Sequence, residues 1–166
     1  MTTCQRSIVI HGYGTYAIVY RHMLDVAKSA APDIDWAMIL PSSHHFDVIS
    51  EVLPSDRILC LEHKQSFSHP KLSDLTELAG YCGNIYEDIE AEKEAYRHRP
   101  ATQQVARAVE VYKVYKEFLV RMKATHVLLS HVETFEGKVL ISLARELKIP
   151  AIVPSELRNL GGTVFT

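Results

Sequence analysis

The sequence predicts an α/β fold in which five parallel strands form one sheet with helices on both faces. Short apolar runs alternate along the chain with longer segments of helical periodicity. The runs are continuously apolar, which is typical of parallel strands that are buried on both faces. Right-handed crossovers then favour the strand order 3-2-1-4-5, so we expect a three-layer, Rossmann-like arrangement.

The first part of the chain supplies three strands and two helices. Strands are predicted at residues 7–10, 35–40 and 57–61, because each is a short run of apolar and often β-branched residues. Residues 15–31 have apolar side chains at helical spacing, and Pro32 then ends this first helix. A shorter helix is expected at about 44–53.

A helical insert separates the third strand from the fourth. Its predicted segments are a histidine-rich loop at 62–70, helical sequence at about 71–123 with breaks at 80–84 and 99–100, and a best helix at 102–122. The helix at 102–122 carries an apolar stripe that includes Tyr112 and Tyr115, which we expect in the core. The helix expected around 87–99 is strongly charged.

The last part of the chain completes the sheet. We expect a fourth strand at 126–130, a helix at 135–147 and a fifth strand at 150–153. Residues 154–166 receive no firm assignment, although apolar Val164 and Phe165 suit a further strand or helix.

Composition narrows the class of protein. The 166 residues are 47% hydrophobic and 23% charged, as in an ordinary globular domain, and the net charge of -2 does not favour a nucleic-acid partner. Three cysteines without a CxxC pair argue against a disulfide framework or a structural zinc site. No signal peptide and no apolar run of about 20 residues is recognised. We therefore expect a cytoplasmic protein, with residues 1–166 forming one domain.

A ligand site is expected where the strand order reverses, beyond the carboxyl ends of strands one and four. The loop after strand one has the pattern GxGxxA, with its two glycines at Gly12 and Gly14. Such glycines let a ligand approach the backbone, and a helix N-terminus favours an anion. The candidate ligand-binding residues of this loop are Gly12, Tyr13, Gly14 and Thr15. The alternative is that the glycines only close a tight turn.

A dinucleotide cofactor is not favoured by the sequence. Such a site also needs an acidic residue at the end of strand two, and residues 40–43 contain none. The chain has no GxSxG, Walker A or HExxH motif either, which excludes the common hydrolase, P-loop and zincin classes.

Two glutamates follow strand four at the same expected edge. Glu133 and Glu136 could act as a general base or accept a hydrogen bond from a sugar hydroxyl. Their alternative role is to complement the dipole of the following helix. Further along, Arg158 could bind a phosphate or carboxylate, with Asn159 beside it, or could instead pair with a nearby glutamate.

Several histidines follow predicted strands. They are His11, His44, His45, His63 and His131. His11 and His131 are candidates for acid–base chemistry, and the alternative is that they are polar loop residues at a solvated edge. No metal site is expected, because these residues lie on different loops without the compact spacing of a ligand set.

The two ends of the chain resemble a known family. Residues 131–162 contain Glu133, the pair Glu136-Gly137, the turn at 148–150 and the run at 157–162. This segment resembles the N-terminal Rossmann-like domain of GT-B type glycosyltransferases, and most closely bacterial capsule and surface polysaccharide biosynthesis proteins. The glycine-rich loop at 12–14 also resembles the corresponding loop of the GT-B family, whereas the helical insert does not resemble that family.

The resemblance implies an acceptor-side domain that takes part in sugar transfer from a nucleotide sugar. It implies Glu133 as the base, with His131 and His11 as the next candidates, and Arg158 facing the donor phosphates. It also implies that residues 1–166 are the N-terminal half of a two-domain protein, inactive alone. The expected partners are a sugar acceptor and a nucleotide sugar, without a covalently bound cofactor, and peripheral membrane association of the whole protein is compatible with this role.

Two alternative functions remain open from the sequence. One is a self-contained nucleotide-binding or regulatory module of Rossmann type, which would hold a phosphate in the GxGxxA loop. The other is a non-enzymatic scaffold that uses the charged helix around 87–99 as a partner surface. The sequence does not indicate an oligomeric state.

Overall fold

A computed structural model of the chain describes residues 6–63, 75–85, 87–88, 101–157 and 162–165. It contains a five-stranded parallel sheet with the order β3-β2-β1-β4-β5, which confirms the predicted fold class and strand order. The strands are β1 (Arg6–His11), β2 (Ile34–Leu40), β3 (Ile58–Cys60), β4 (His126–Leu129) and β5 (Ala151–Ile152).

The helices also follow the predicted pattern. They are α1 (Tyr16–Ala30), α2 (Phe46–Ser50), α3 (Ala101–Arg121) and α4 (Phe135–Leu147). Short 3-10 helices lie at Ser43–His45, Ser55–Arg57, Leu61–His63 and Thr76–Gly80. The two that flank β3 shorten it relative to the predicted strand at 57–61.

The helical insert between β3 and β4 is confirmed. It contains the 3-10 helix at Thr76–Gly80, a non-helical break after it, and α3. Most of the predicted loop at 62–70, most of the charged helix at 87–99 and the break at 99–100 lie outside the described residues.

Side chains alternate between the two faces of β1, and each face has its own core. Val9 packs in a cluster with α3 and α4, whereas Ile10 packs in a cluster with α1 and α2, and both are fully buried. Tyr112 and Tyr115 lie in the first cluster, which confirms their expected place in the core. The helices therefore form one layer on each side of the sheet.

The end of the described chain forms a feature that the sequence analysis did not assign. Strands β6 (Pro154–Leu157) and β7 (Gly162–Phe165) pair as an antiparallel two-stranded sheet, separate from the main one. Short runs that begin with proline or glycine give little periodicity from which to predict a strand. Among the helices of the described ranges, none combines the length and the hydrophobicity needed to cross a bilayer.

Candidate functional site

A cleft of about 340 Å³ opens beyond the carboxyl ends of the central strands, where the sequence analysis expects a site. Its walls come from the loops after β1, β2 and β3 and from helices α3 and α4. The lining residues are Gly12, Tyr13, Gly14, Leu40, Pro41, Ser42, His45, Glu62, Arg107 and Glu136. The cleft therefore brings together three of the four candidates of the GxGxxA loop and one of the two glutamates that follow β4.

The loop between β1 and α1 is fixed to both neighbouring strands. Gly12 N donates to the carbonyl of Ile39 at 2.9 Å, and Tyr13 N donates to Ser130 Oγ at 3.1 Å. Gly14 then turns the chain with a φ of +55°, a left-handed conformation that glycine adopts at little cost. Thr15, which is exposed, begins α1 without a side-chain cap, and the first turn of α1 contains no acidic residue.

The loop between β4 and α4 is held by a helix cap and by a close backbone contact. Thr134 adopts an extended conformation, and its Oγ1 accepts a hydrogen bond from Gly137 N at 3.1 Å. A Cβ atom at Gly137 would lie 2.2 Å from the carbonyl oxygen of His131, so only glycine fits this close approach. This packing places Glu136 in the first turn of α4, where it is only 3% exposed.

Glu136 is a buried carboxylate with an incomplete set of partners. Its Oε1 lies 3.6 Å from Arg107 Nη2, which is longer than the roughly 2.7–2.9 Å of a good charge-assisted hydrogen bond. Its Oε2 is buried and has no hydrogen-bond partner among the residues that the structure describes. A buried acceptor without a partner costs about 1–3 kcal/mol, which makes this carboxylate a natural contact for a ligand donor.

Arg107 was not singled out by the sequence analysis. It lies near the start of α3, in the insert, and only the tertiary fold brings it to the carboxyl edge of the sheet. The apolar stripe of α3 indicates which residues face the core, but Arg107 lies outside that stripe.

Glu62 is the second carboxylate of the cleft, and it too was absent from the residues predicted from the sequence. Its Oε2 accepts hydrogen bonds from Ser43 N at 2.8 Å and from Ser43 Oγ at 2.6 Å. Because Leu40 and Cys60 are paired in the β2–β3 register, Glu62 emerges beside the loop that follows β2. An acidic residue therefore does stand at the end of β2, contributed by the neighbouring strand. The signal that could have revealed it is an acid directly after an adjacent parallel strand.

His11 lies at the end of β1 but away from solvent. It is completely buried, and neither ring nitrogen has a hydrogen-bond partner within the described ranges. Burial, reinforced by the nearby His131, lowers the pKa of His11 from 6.5 to about 3. The interpretation of His11 as a polar residue at a solvated edge is therefore wrong. A base with this pKa is neutral at pH 7 and accepts a proton poorly.

His131 belongs to an aromatic cluster beside the cleft. Its ring centroid lies 5.5 Å from that of Tyr13 and 4.9 Å from that of Tyr16, the latter edge to face. Since Tyr13 lines the cleft, His131 packs against a residue of the cleft wall. His131 Nδ1 is buried and has no hydrogen-bond partner among the described residues.

The remaining candidates differ in whether they line the cleft and in whether the structure describes them. Glu133 is exposed on the β4–α4 loop and is not one of the cleft-lining residues. Arg158 and Asn159 lie outside the described residues. His45 lines the cleft and stacks edge to face on His44, with ring centroids 4.7 Å apart. In the described parts of the chain, no three His, Cys, Asp or Glu side chains are placed to hold a metal ion.

Neither a protein-family model nor a curated protein sequence matches this chain. The resemblance to GT-B type glycosyltransferases therefore remains a prediction made from the sequence.

Proposed function

We propose that this chain is the acceptor-side domain of a glycosyltransferase that acts in polysaccharide or glycoconjugate biosynthesis. In this proposal a sugar occupies the cleft beyond the carboxyl ends of the strands, and a nucleotide sugar is the donor. The observation that carries the proposal is Glu136, a buried carboxylate that lines the cleft and has one oxygen without a partner among the described residues.

A ligand rich in hydroxyl groups could donate the hydrogen bond that this carboxylate lacks. Each sugar hydroxyl can donate one hydrogen bond, and a hydrogen bond to a charged acceptor contributes about 1.5–3 kcal/mol. The last torsion of a glutamate side chain is soft, so the carboxylate can rotate to present an oxygen to a ligand in the cleft. The cleft volume of about 340 Å³ lies near the lower end of small-molecule sites, so it suits a small polar ligand.

The proposal assigns the catalytic step to an exposed group rather than to Glu136. Glu133 does not line the cleft, so it would take the proton of an acceptor hydroxyl that extends out of the cleft, and that oxygen attacks the anomeric carbon while the nucleoside diphosphate leaves. Arg158 and Asn159 would contact the donor phosphates. The protein would act in the cytoplasm, with peripheral membrane association of the whole enzyme. Glu133→Gln should then strongly reduce turnover of the whole enzyme, and near-normal turnover would rule out this role for Glu133.

Ligand-detected saturation-transfer NMR tests sugar binding directly. We expect glucose, galactose or N-acetylglucosamine to receive saturation from the protein. Glu136→Gln should weaken that binding about tenfold, because it removes a charged acceptor. Glu117→Gln is the matched control, since Glu117 is exposed on α3 and does not line the cleft. Absence of saturation transfer to every sugar would contradict the proposal.

A nucleotide-binding module is the second candidate, and Glu62 is the observation that favours it. A carboxylate at the end of β2 can accept hydrogen bonds from ribose hydroxyls, and the dipole of α1, whose N-terminus follows the exposed Gly14, favours a phosphate. Titration with a panel of nucleotides separates the two candidates. Micromolar nucleotide affinity that Glu62→Gln weakens would favour the module, and sugar binding without nucleotide binding would exclude it.

A further inference from the structure

Arg107 and Glu136 approach each other from two helices that pack together beside the cleft. Arg107 lies near the start of α3 and Glu136 in the first turn of α4, and both residues line the cleft. Apolar side chains of the two helices belong to one core cluster, which holds the helices at a fixed separation. The positions of the guanidinium and the carboxylate are therefore set by the packed core.

The contact between these two groups leaves hydrogen-bonding capacity for a ligand. Arg107 Nη2 lies 3.6 Å from Glu136 Oε1, which is too far for a hydrogen bond. Glu136 Oε2 is buried and has no hydrogen-bond partner within the described part of the chain. A guanidinium has five N–H donors, so Arg107 can donate to a ligand and keep its other contacts. The pair thus offers a donor and an acceptor side by side.

The charges of the pair favour a neutral ligand group. A cation beside Glu136 would also lie near Arg107, and an anion beside Arg107 would also lie near Glu136, so attraction and repulsion offset each other in both cases. A neutral group that carries its own donor and acceptor gains a charge-assisted hydrogen bond from each residue.

Two hydroxyl groups on adjacent carbon atoms have this pattern. One hydroxyl donates to the carboxylate, and the oxygen of the other accepts from the guanidinium. In the gauche arrangement of a staggered carbon–carbon bond, the two oxygens lie close enough together to reach both protein groups at once. Such vicinal diols are present in most sugar rings.

We propose that Arg107 and Glu136 together bind a vicinal diol of the ligand, because they place a charged donor and a charged acceptor side by side in one cleft. This inference rests on the proposed function, since it takes the ligand to be a sugar and names the part of the sugar that the cleft recognises. It adds Arg107, a residue of the helical insert, to the residues that determine specificity.

Sugars that lack single hydroxyl groups test this recognition. Dissociation constants of the chain are measured by NMR titration for methyl glucoside, methyl galactoside and their 2-deoxy, 3-deoxy and 4-deoxy forms. Loss of the 3-hydroxyl breaks both adjacent pairs of ring hydroxyls, whereas loss of the 2-hydroxyl or the 4-hydroxyl leaves one pair intact. We expect the 3-deoxy form to bind about tenfold more weakly than the parent glycoside, and one of the other two forms to bind within about twofold of it.

Variants of the two side chains show whether both of them make the contact. Glu136→Gln removes the charged acceptor, and Arg107→Met removes the donors but keeps a long side chain. In each variant the ratio between the 3-deoxy form and the parent should shrink. Glu117→Gln should leave the ratio unchanged, since Glu117 is exposed on α3 and does not line the cleft. In the wild type, the signal of the buried Nε–H of Arg107 should shift as the parent glycoside binds, and this measurement needs no variant.

The possible outcomes separate the two proposals. Equal binding of the parent and the 3-deoxy form overturns the diol recognition and leaves sugar binding standing. An Arg107 signal that does not shift, or a ratio that persists in folded Arg107→Met, also overturns it, because Glu136 alone would then bind the hydroxyl. If uridine binds more tightly than 2′-deoxyuridine and no glycoside binds, the diol belongs to a ribose, and the proposed acceptor function fails instead. Absence of binding for the glycosides, for N-acetylglucosamine and for uridine overturns both proposals.

Discussion

Two helices, α1 and α4, begin at the switch point of the sheet, and their N-termini differ in how they are capped. Helix α4 is capped by the side chain of Thr134 and has Glu136 in its first turn. Helix α1 has Thr15 at its N-cap position, where the side chain makes no capping hydrogen bond, and it has no acidic residue in its first turn. The first N-terminus is capped by a side chain, whereas the first amides of the second, those of Tyr16, Ala17 and Ile18, donate to the backbone carbonyls of the preceding loop.

The two loops on either side of the site also differ in packing and in exposure to solvent. The β4–α4 loop is packed so closely that it holds a buried carboxylate, an acceptor, in a defined position. The β1–α1 loop is anchored to its neighbouring strands through Gly12 and Tyr13 but is exposed at Gly14 and Thr15. A ligand in the cleft would therefore meet a buried carboxylate on one side and an exposed loop on the other.

The largest expected effect concerns the tight packing of the β4–α4 loop. Gly137→Ala would place a Cβ atom 2.2 Å from the backbone oxygen of His131, and the backbone must move to relieve this clash. We expect a loss of about 3 kcal/mol or more in the free energy of unfolding, measured by urea denaturation.

Gly14→Ala provides the comparison for the open loop. No atom lies within 4 Å of a Cβ built at Gly14, so only the left-handed backbone conformation opposes the change. We expect a cost of about 1 kcal/mol. A larger loss of unfolding free energy for Gly14→Ala than for Gly137→Ala would contradict the conclusion that the β4–α4 loop is the more tightly packed of the two.

The next effect concerns His11 at the end of β1. The pKa of His11 falls from 6.5 to about 3 on folding. Between these two pH values, His11 is therefore protonated in the unfolded chain but neutral in the folded chain. The stability that neutral His11 contributes is therefore complete above pH 6.5 and is lost as the pH falls toward 3. We expect this residue to account for a loss of about 2 kcal/mol between pH 7.5 and pH 5.

The variant His11→Leu isolates this contribution from other titrating groups. Because leucine cannot bind a proton, the unfolding free energy of the variant should fall less between pH 7.5 and pH 5 than that of the wild type. Chemical denaturation at the two pH values measures the difference. Parallel pH profiles of the two proteins would contradict the burial of a neutral histidine.

The smallest effect compares the two helix caps directly. Thr134→Ala removes an Oγ1 that accepts a hydrogen bond from Gly137 N, and should cost about 1 kcal/mol. Thr15→Ala removes no capping bond and should change stability by less than about 0.5 kcal/mol. Thermal denaturation of both variants measures the two costs, and equal costs would mean that α1 is capped after all.

The sequence predicts the sheet well because its signals are local. Apolar runs mark the five strands, and α4 occupies the residues expected for it, with Thr134 as the cap at its start and Lys148 in a left-handed conformation at its end. Strand order follows from the handedness of crossovers, which is a general rule of folds. The antiparallel pairing of β6 with β7 was not predicted, since these short strands have too little hydrophobic pattern.

The candidate site could be predicted only in part. The loop at Gly12–Gly14 and the carboxylate of Glu136 follow strands that meet at one edge, so topology alone brings them together. Glu62 and Arg107 reach the cleft through strand register and through the packing of α3, which no local motif reports. The burial of His11 likewise depends on side chains from distant parts of the chain.

Chemical-shift mapping of backbone amides during titration with glucose or N-acetylglucosamine tests the central claim most directly. If a sugar occupies the cleft, amides at residues 12–14, 42–45 and 136–137 shift together and saturate with one dissociation constant. Glu136→Gln raises that constant about tenfold. Shifts confined to other parts of the chain, or no saturable shifts at any sugar concentration, would contradict the assignment of the cleft as a sugar site.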